Sequence, residues 1–407
     1  MEKSSITAID PQTLGTRLQE ARKARQMTQQ QAADLLGVAR TTVVAIEKGE
    51  RRVQPQELVR LADLYGRDVN DLLRRRAATP SFAVQFRAVL AQDGGVDTEM
   101  EAQVVTLQRL CEDYLELERL CSAPLPRRYP VEYDLAGARA AQAADDVASA
   151  ERNRLGLGDG PILHLRRLLE NDVGLRIFYL PLPSQVAGMC GYTDDLGGCI
   201  AVNARHPRDR RRWSLAHEYA HFLTTRYRPD VSIFLAYKRM PAHERFADAF
   251  ARCFLMPGSG LSRRLNALRH TKRDGIMIAD LLPLADLYQV SFAALVQRLE
   301  ELRLVAVGTW EQLSTAGFKV REAQAMLGLA VDGPAAEDEW LPARYRYLAV
   351  EAYERDELTA GQLARFLRTD LLGARGIVRK LTRRPDVAEA GDVGELPIDF
   401  SSPVELA

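Results

Sequence analysis

Residues 217–221 read His217-Glu218-Tyr219-Ala220-His221, within the run Leu215–Leu223. No other stretch constrains the chain so tightly. On a helix, positions i and i+4 lie on one face, one turn apart. His217 and His221 can then close on a single cation. Glu218 follows the first histidine directly, where it can reach a water on that cation and act as general base. The neighbours Leu215, Ala216, Tyr219, Ala220, Phe222 and Leu223 are mostly apolar, so the same helix packs in a core. The alternative is a helix whose two histidines face solvent or are hydrogen-bonded in the core.

A catalytic zinc site needs three protein ligands and one open position. Residues 243–257 read HERFADAFARCFLMP. Apolar residues at 246, 247, 250, 251, 254 and 255 have helical spacing, and Pro257 marks the stop. Glu244 and Asp248 are i and i+4 on the opposite, polar face. Glu244 is assigned as the third ligand. Asp248 is assigned to accept the free ring N–H of a ligand histidine and orient it. His243 is a rival ligand, but Glu244 has the better register with Asp248. Taken alone, this segment also reads as an amphipathic helix with solvated acids.

The two motifs, in this order, resemble the ImmA/IrrE family of zinc metallopeptidases. The approach Arg208-Asp209-Arg210-Arg211-Arg212-Trp213-Ser214-Leu215-Ala216 is Arg-rich, as in that family. The second element, E-x-x-A-[ND]-x-F-A followed by Leu-Met-Pro, matches at Glu244, Ala247, Asp248, Phe250, Ala251, Leu255, Met256 and Pro257. The resemblance covers residues 155–305. It implies His217, His221 and Glu244 as metal ligands and Glu218 as catalytic base. It implies Zn2+, and a two-histidine, one-carboxylate set also admits Mn2+. It further implies a narrow substrate, a DNA-binding repressor cleaved in a stress, DNA-damage or phage-related response. Tyr219-Ala220 departs from the usual small or Gly-containing pair, and Thr224-Thr225 shows no histidine after the motif. The oxyanion donor is not legible, and Tyr227 is the one candidate offered.

Residues 14–73 carry an independent signal. Leu14, Leu18, Ala21 and Arg22 begin one helical period. Thr28 suits the N-cap of a short helix, Gln29 to Leu36, and Gly37 suits the left-handed turn that ends it. A third helix runs from Arg40 to Lys48. Two short helices joined by a tight turn form a helix-turn-helix, whose second helix can lie in the major groove. The segment resembles Xre/Cro-like DNA-binding domains at Thr28-Gln29, Ala32-Ala33, Leu36-Gly37-Val38, Thr41-Thr42 and Ile46-Glu47-Lys48-Gly49. The resemblance implies DNA contacts from Gln29, Arg40, Thr41, Thr42 and Ala45, and binding as a homodimer on double-stranded DNA. Ala39 stands where a capping Ser or Thr is usual, so the recognition helix is expected to be weakly capped. Residues 1–76 hold 14 Lys and Arg against 10 Asp and Glu, a net of +4 in a chain that is neutral overall. That supports a local basic face and no more. The other reading of this segment is a protein-docking module.

The remaining chain of 407 residues fills out several domains. No apolar run reaches the length of a membrane span, no secretory h-region follows the N-terminal residues, and the five Cys form no CxxC, so a reduced cytoplasmic setting is expected. Val104, Leu107, Leu110, Cys111, Tyr114, Leu117 and Leu120 predict a long amphipathic helix, expected to pack within the chain rather than against a copy. Residues 122–130 read as a linker and 134–155 as another helix. Stretches 175–180, 186–192 and 199–203, split by the turn signal at 194–198, predict a small antiparallel sheet leading into the metal helix. Residues 278–304, with Ser291 as N-cap, predict a helix-turn-helix-like pair read as structural. Residues 358–370 predict similar geometry, read as a packing or dimer element or as a second DNA contact. Beyond Arg384 stand six acids and no Lys or Arg, an acidic tail expected to be loosely docked or disordered.

The expected fold is mainly α and multidomain. It comprises a five-helix-type helix-turn-helix domain (10–76), a helical linker region (77–154), an α+β zincin-like peptidase domain with a small sheet (155–305), a helical C-terminal domain (306–384) and the tail (385–407). The expected function is a DNA-binding regulator whose metal-dependent endopeptidase cleaves a repressor or itself. The alternative is a transcription factor whose peptidase-like domain senses a metal or ligand without turnover.

Overall fold

The structure is a computed structural model that describes residues 10–25, 27–65, 69, 72, 98–135, 139–226, 230–233, 241–272, 275–329 and 339–382. It divides into two compact units, Met1–Thr79 and Pro80–Ala407. The tail 385–407 and Tyr227 lie outside the described residues.

In the first unit, α1 (Pro11–Ala24), α2 (Gln29–Leu36), α3 (Arg40–Glu47) and α4 (Pro55–Tyr65) close around Leu14, Leu18, Ile46, Leu58, Leu61 and Tyr65. Thr28 caps α2 in a capping box: its hydroxyl accepts from the Gln31 N–H, and the Gln31 side chain accepts from the Thr28 N–H. Gly37, at φ 70°, makes the left-handed turn. Ala39 offers α3 no side-chain cap, as its methyl dictates. A buried ion pair ties the three motif helices: Arg22 donates to both Glu47 oxygens at 2.6 and 2.9 Å, and Gln29 donates to the same carboxylate at 2.9 Å. The fifth helix expected of this domain falls beyond Tyr65, largely outside the described residues.

The second unit is built on a four-stranded sheet of β1 (Arg176–Leu180), β2 (Val186–Thr193), β3 (Gly197–Asn203) and β4 (Asp230–Ile233), in the order β1-β3-β2-β4. β2 and β3 form an antiparallel hairpin with Cys190 opposite Ile200, and β4 pairs antiparallel with β2. β1 runs parallel to β3, with Phe178 opposite Ala201. The expected all-antiparallel sheet is therefore corrected to a mixed one. Pro181 and Pro183 cannot donate to a ladder. They end β1, and the link after it skips a strand position that β3 folds back to fill.

The unit's helices are α5 (Thr98–Leu120), α6 (Ala140–Arg154), α7 (Leu165–Leu168), α8 (Arg208–Thr225), α9 (Ala242–Leu255), α10 (Gly258–Thr271), α11 (Ile278–Tyr288), α12 (Phe292–Glu301), α13 (Thr309–Thr315), α14 (Val320–Met326), α15 (Ala343–Glu354), α16 (Ala360–Phe366) and α17 (Leu371–Thr382). The period of two along each strand splits the core. Ile177, Tyr179, Cys190, Ile200 and Val202 face a layer containing α6, α8 and α9. Phe178, Leu180, Met189, Cys199 and Ala201 face α5 and α15–α17. The stripe on α5 is thus spent inside the chain: Tyr114 sits edge-on to Tyr345 and Phe178, with ring centroids 5.3 and 6.4 Å apart. Beside it, Arg176 donates to both oxygens of buried Glu118 at 2.7 and 2.8 Å. Helices from the 77–154 and 306–384 stretches therefore share one core with the sheet. No single described helix is long and apolar enough to cross a membrane, and the five cysteines are buried and outside any disulfide.

Candidate metal centre

α8 is buried from Ser214 to Leu223. Its motif tyrosine, Tyr219, meets Phe250 and Phe254 of α9 at centroid distances of 6.0 and 5.9 Å. This apolar seam sets the two helices so that their polar positions meet. His217 Nε2 lies 3.1 Å from Glu244 Oε2, and His221 Nε2 lies 3.4 Å from Glu244 Oε1. The two histidine Nε2 atoms are 3.1 Å apart. One ligand atom from each of His217, His221 and Glu244 falls within 4.8 Å of the others. Asp248 Oδ1 accepts from His217 Nδ1 at 2.9 Å. His243 stands at the rim, half-exposed, with Nε2 3.6 Å from Glu244 Oε1.

The electrostatics follow from this crowding. Burial alone would depress His217, but hydrogen bonds to Asp248 and Glu244 outweigh it and push the imidazole up to about 10. Burial alone would raise Glu244, but hydrogen bonds from His217 and His221 hold its carboxyl well below the usual carboxylate range. Two imidazole nitrogens facing each other at 3.1 Å cannot both present bare lone pairs, so a proton or a cation must sit among them. Two imidazoles, one carboxylate and a second carboxylate on the far ring nitrogen of one histidine make a donor set that suits a divalent cation.

Glu218 is fully buried beside this group. Its neighbour on β2 is Gly188, where an added Cβ would sit 2.7 Å from Glu218 Oε1 and 2.9 Å from the Ala201 carbonyl oxygen. The strand lacks a side chain where the carboxylate needs room. Sequence reasoning missed Gly188; a glycine inside an otherwise apolar strand just before the motif helix was the available signal. It also missed Glu151 on α6. Glu151 is fully buried and accepts from Tyr219 Oη at 2.5 Å and Tyr133 Oη at 3.0 Å. The unusual tyrosine within the motif is thereby anchored to α6. An open cavity of about 710 Å³ lies beside His243, walled by Val131–Leu135, Thr224, Thr225 and Phe246.

In the first unit, Arg40 and Thr41 are exposed at the start of α3, while Thr42 and Ala45 are half-buried. Gln29 is half-buried, with its amide engaged by Glu47.

Two family models match parts of the chain. Residues 170–300 match the peptidase M78 family model, the IrrE N-terminal-like domain. Residues 18–72 match the helix-turn-helix family model. A curated relative, the HTH-type transcriptional regulator AnsR of Bacillus subtilis, is 42% identical over 59 residues, which are 14% of this chain. The chain spans about half (51%) of that relative's length. Two solved structures align over most of their length at low similarity. PlcR of Bacillus thuringiensis in complex with the peptide PapR7 and DNA is 12% identical, covering 91% of this chain and 93% of its own, with a TM-score of 0.18. ComR from Streptococcus suis is 11% identical, covering 92% and 94%, with a TM-score of 0.16. Scores that low carry no weight for fold or function. The chain joins a helix-turn-helix domain to an M78 peptidase-like domain.

Proposed function

We propose that the chain is a DNA-binding transcriptional regulator whose M78-type domain is a metal-dependent endopeptidase. The observation that carries this reading is the convergence of His217, His221 and Glu244, with Glu218 buried beside them. Those three side chains would hold the ion, Zn2+ by preference and Mn2+ as the alternative. When bound, it supplies Lewis-acid activation of water and of a peptide carbonyl.

The chain's own groups supply the rest. Asp248 keeps the His217 proton on Nδ1, which leaves Nε2 directed at the centre. Glu218 takes the proton of the attacking water and later delivers it to the leaving amine. The adjoining cavity seats an extended peptide next to His243. The substrate is a repressor cleaved in a stress, DNA-damage or phage-related response, or this chain's own 77–130 region. α3 reads duplex DNA through Arg40, Thr41, Thr42 and Ala45, with Gln29 near the backbone, and the chain binds paired half-sites as a homodimer.

The test compares protein N-termini in cells making the wild type or Glu218→Gln, with purified metal content measured in parallel. New termini that need Glu218, with equal metal in both proteins, support the reading. Identical termini in both refute it. One observation favours a sensor without turnover: Glu218 and His221 are 0% and 1% exposed. In that case Glu218→Gln leaves gene regulation unchanged while His217→Ala disrupts it.

A further inference from the structure

The chain makes the turn of its helix-turn-helix a second time. In α2–α3, Thr28 and Gln31 form the capping box, Gly37 is left-handed, and the Val38 N–H donates to the Ala33 carbonyl at 3.0 Å. In α16–α17, Thr359 and Gln362 form the same box, Arg368 is left-handed at φ 53°, and the Thr369 N–H donates to the Ala364 carbonyl at 3.0 Å. Each of these residues is displaced from its counterpart by the same number of positions. So are the starts of the second helices, Arg40 and Leu371, and their inner anchors, Val43 and Ala374, 1% and 2% exposed. The later copy also has the cap that Ala39 denies to α3: Asp370 Oδ1 accepts from the Gly373 N–H at 2.7 Å.

The turn alone decides nothing, because α11–α12 makes it too. Gln289 is left-handed there, and Ser291 caps α12. But α12 is spent in packing: Phe292, Leu295, Val296, Arg298 and Leu299 are buried, and its last residues are Glu300 and Glu301. α17 differs on both counts. Its sequence LLGARGIVRKLT contains no acid, and Arg375, Arg379 and Lys380 are exposed. Its first turn presents Leu371 and Leu372, 51% and 77% exposed.

We propose that α16–α17 is a second duplex-DNA-binding motif. In this motif the second helix enters the major groove, its first turn meets base edges, and flanking cations meet phosphates. Arg375, Arg379 and Lys380 are the phosphate contacts. Leu371 and Leu372 are the groove contacts, suited to thymine methyl groups. Charge favours nucleic acid over a protein partner. A cationic helix free of acids complements a polyanion of regular spacing. The inference rests on the second unit and is independent of the peptidase reading.

The test uses the full chain and a labelled mixed-sequence duplex, with affinity measured by anisotropy between about 50 and 200 mM salt. The variant is Arg375→Ala/Arg379→Ala/Lys380→Ala. Removing one cation that neutralises a phosphate flattens the plot of log affinity against log salt by about 0.9, so the triple variant is expected to flatten it by about 2.7. In an Arg40→Ala background the same change is expected. An unchanged slope in a triple variant whose melting temperature is intact overturns the proposal. If the triple variant does not fold, Arg375→Gln and Arg379→Gln each carry the test, with an expected flattening of about 0.9. A Leu371→Ser/Leu372→Ser chain that changes sedimentation mass, while the triple variant keeps the wild-type slope, makes α17 a protein interface and also overturns it.

Discussion

Glu47 sits at the junction of α1, α2 and α3, and replacing it tests how the reading head is held together. Its side chain is 2% exposed, and that of its partner Arg22 is 8% exposed. Glu47→Leu leaves the Arg22 guanidinium buried, with the Met27 carbonyl, at 2.6 Å, its one remaining acceptor among the described residues. It also strips Gln29 of its acceptor. Breaking a buried pair from one side costs about 3–5 kcal/mol, because the orphaned charge has no water. Removing both charges with apolar residues of similar volume removes that penalty. The double variant Arg22→Met/Glu47→Leu is therefore expected to lose less stability than either single variant, so the coupling is at least as large as one single cost, about 3–5 kcal/mol. Hydrogen exchange on the full chain, followed in peptides from residues 11–65, reads the local stability directly. Protection in the single variants should fall by at least about 100-fold, since each 1.4 kcal/mol is about tenfold. Strictly additive losses would refute the argument that the orphaned charge, rather than poorer packing, sets the cost.

Acid should loosen the same unit. Burial alone would raise the Glu47 carboxyl, but hydrogen bonds from Arg22 and Gln29, together with the Arg22 charge, hold it below the usual range. Its folded value lies under its unfolded one, so its stabilisation is complete above about pH 4.3 and is lost as pH falls through the folded value. Melting of wild type and the double variant should converge as the solution is acidified. Gly188→Ala should displace the Glu218 carboxylate, costing about 1–3 kcal/mol of stability through overpacking and about 100-fold in turnover through misplacement of the base, with metal content unchanged. Retention of full peptidase activity would show that Glu218 does not depend on that gap. His217→Ala should abolish stoichiometric zinc in the purified chain, and Asp248→Asn should weaken zinc about 10- to 100-fold in a chelator competition. Equal zinc in all three proteins would remove the centre from α8 and α9.

The helices that meet at the centre were legible because helical periodicity fixes faces locally. Spacing alone placed His217 with His221 and Glu244 with Asp248, and it placed the phenylalanines of α9 on the side opposite its acids. What was not legible depends on residues far apart in the chain. The position of β1 beside β3 rather than β2 comes from a link that skips a strand. Glu151 lies 68 positions before Tyr219, and nothing periodic connects them. Gly188 matters only because β2 happens to lie under Glu218. The short strand β4 left no alternation long enough to read. At α17 the sequence offered packing and DNA contact as rivals; the fold turns Ala374 inward and leaves Arg375 and Arg379 exposed.

The second face of the sheet is covered from both ends of its unit. Cys121 Sγ donates to the Leu348 carbonyl across 227 positions, and Arg368 reaches Asp113 across 255. A nascent chain that has completed α12 already has α5 but still lacks α15–α17, which complete the cover over Phe178, Leu180 and Met189. Synthesis at about 5–20 residues per second leaves part of that greasy surface bare for several seconds. Trimming the protein to its catalytic-looking middle would make the exposure permanent. Such a fragment should need a chaperone or precipitate, however well its metal ligands are preserved.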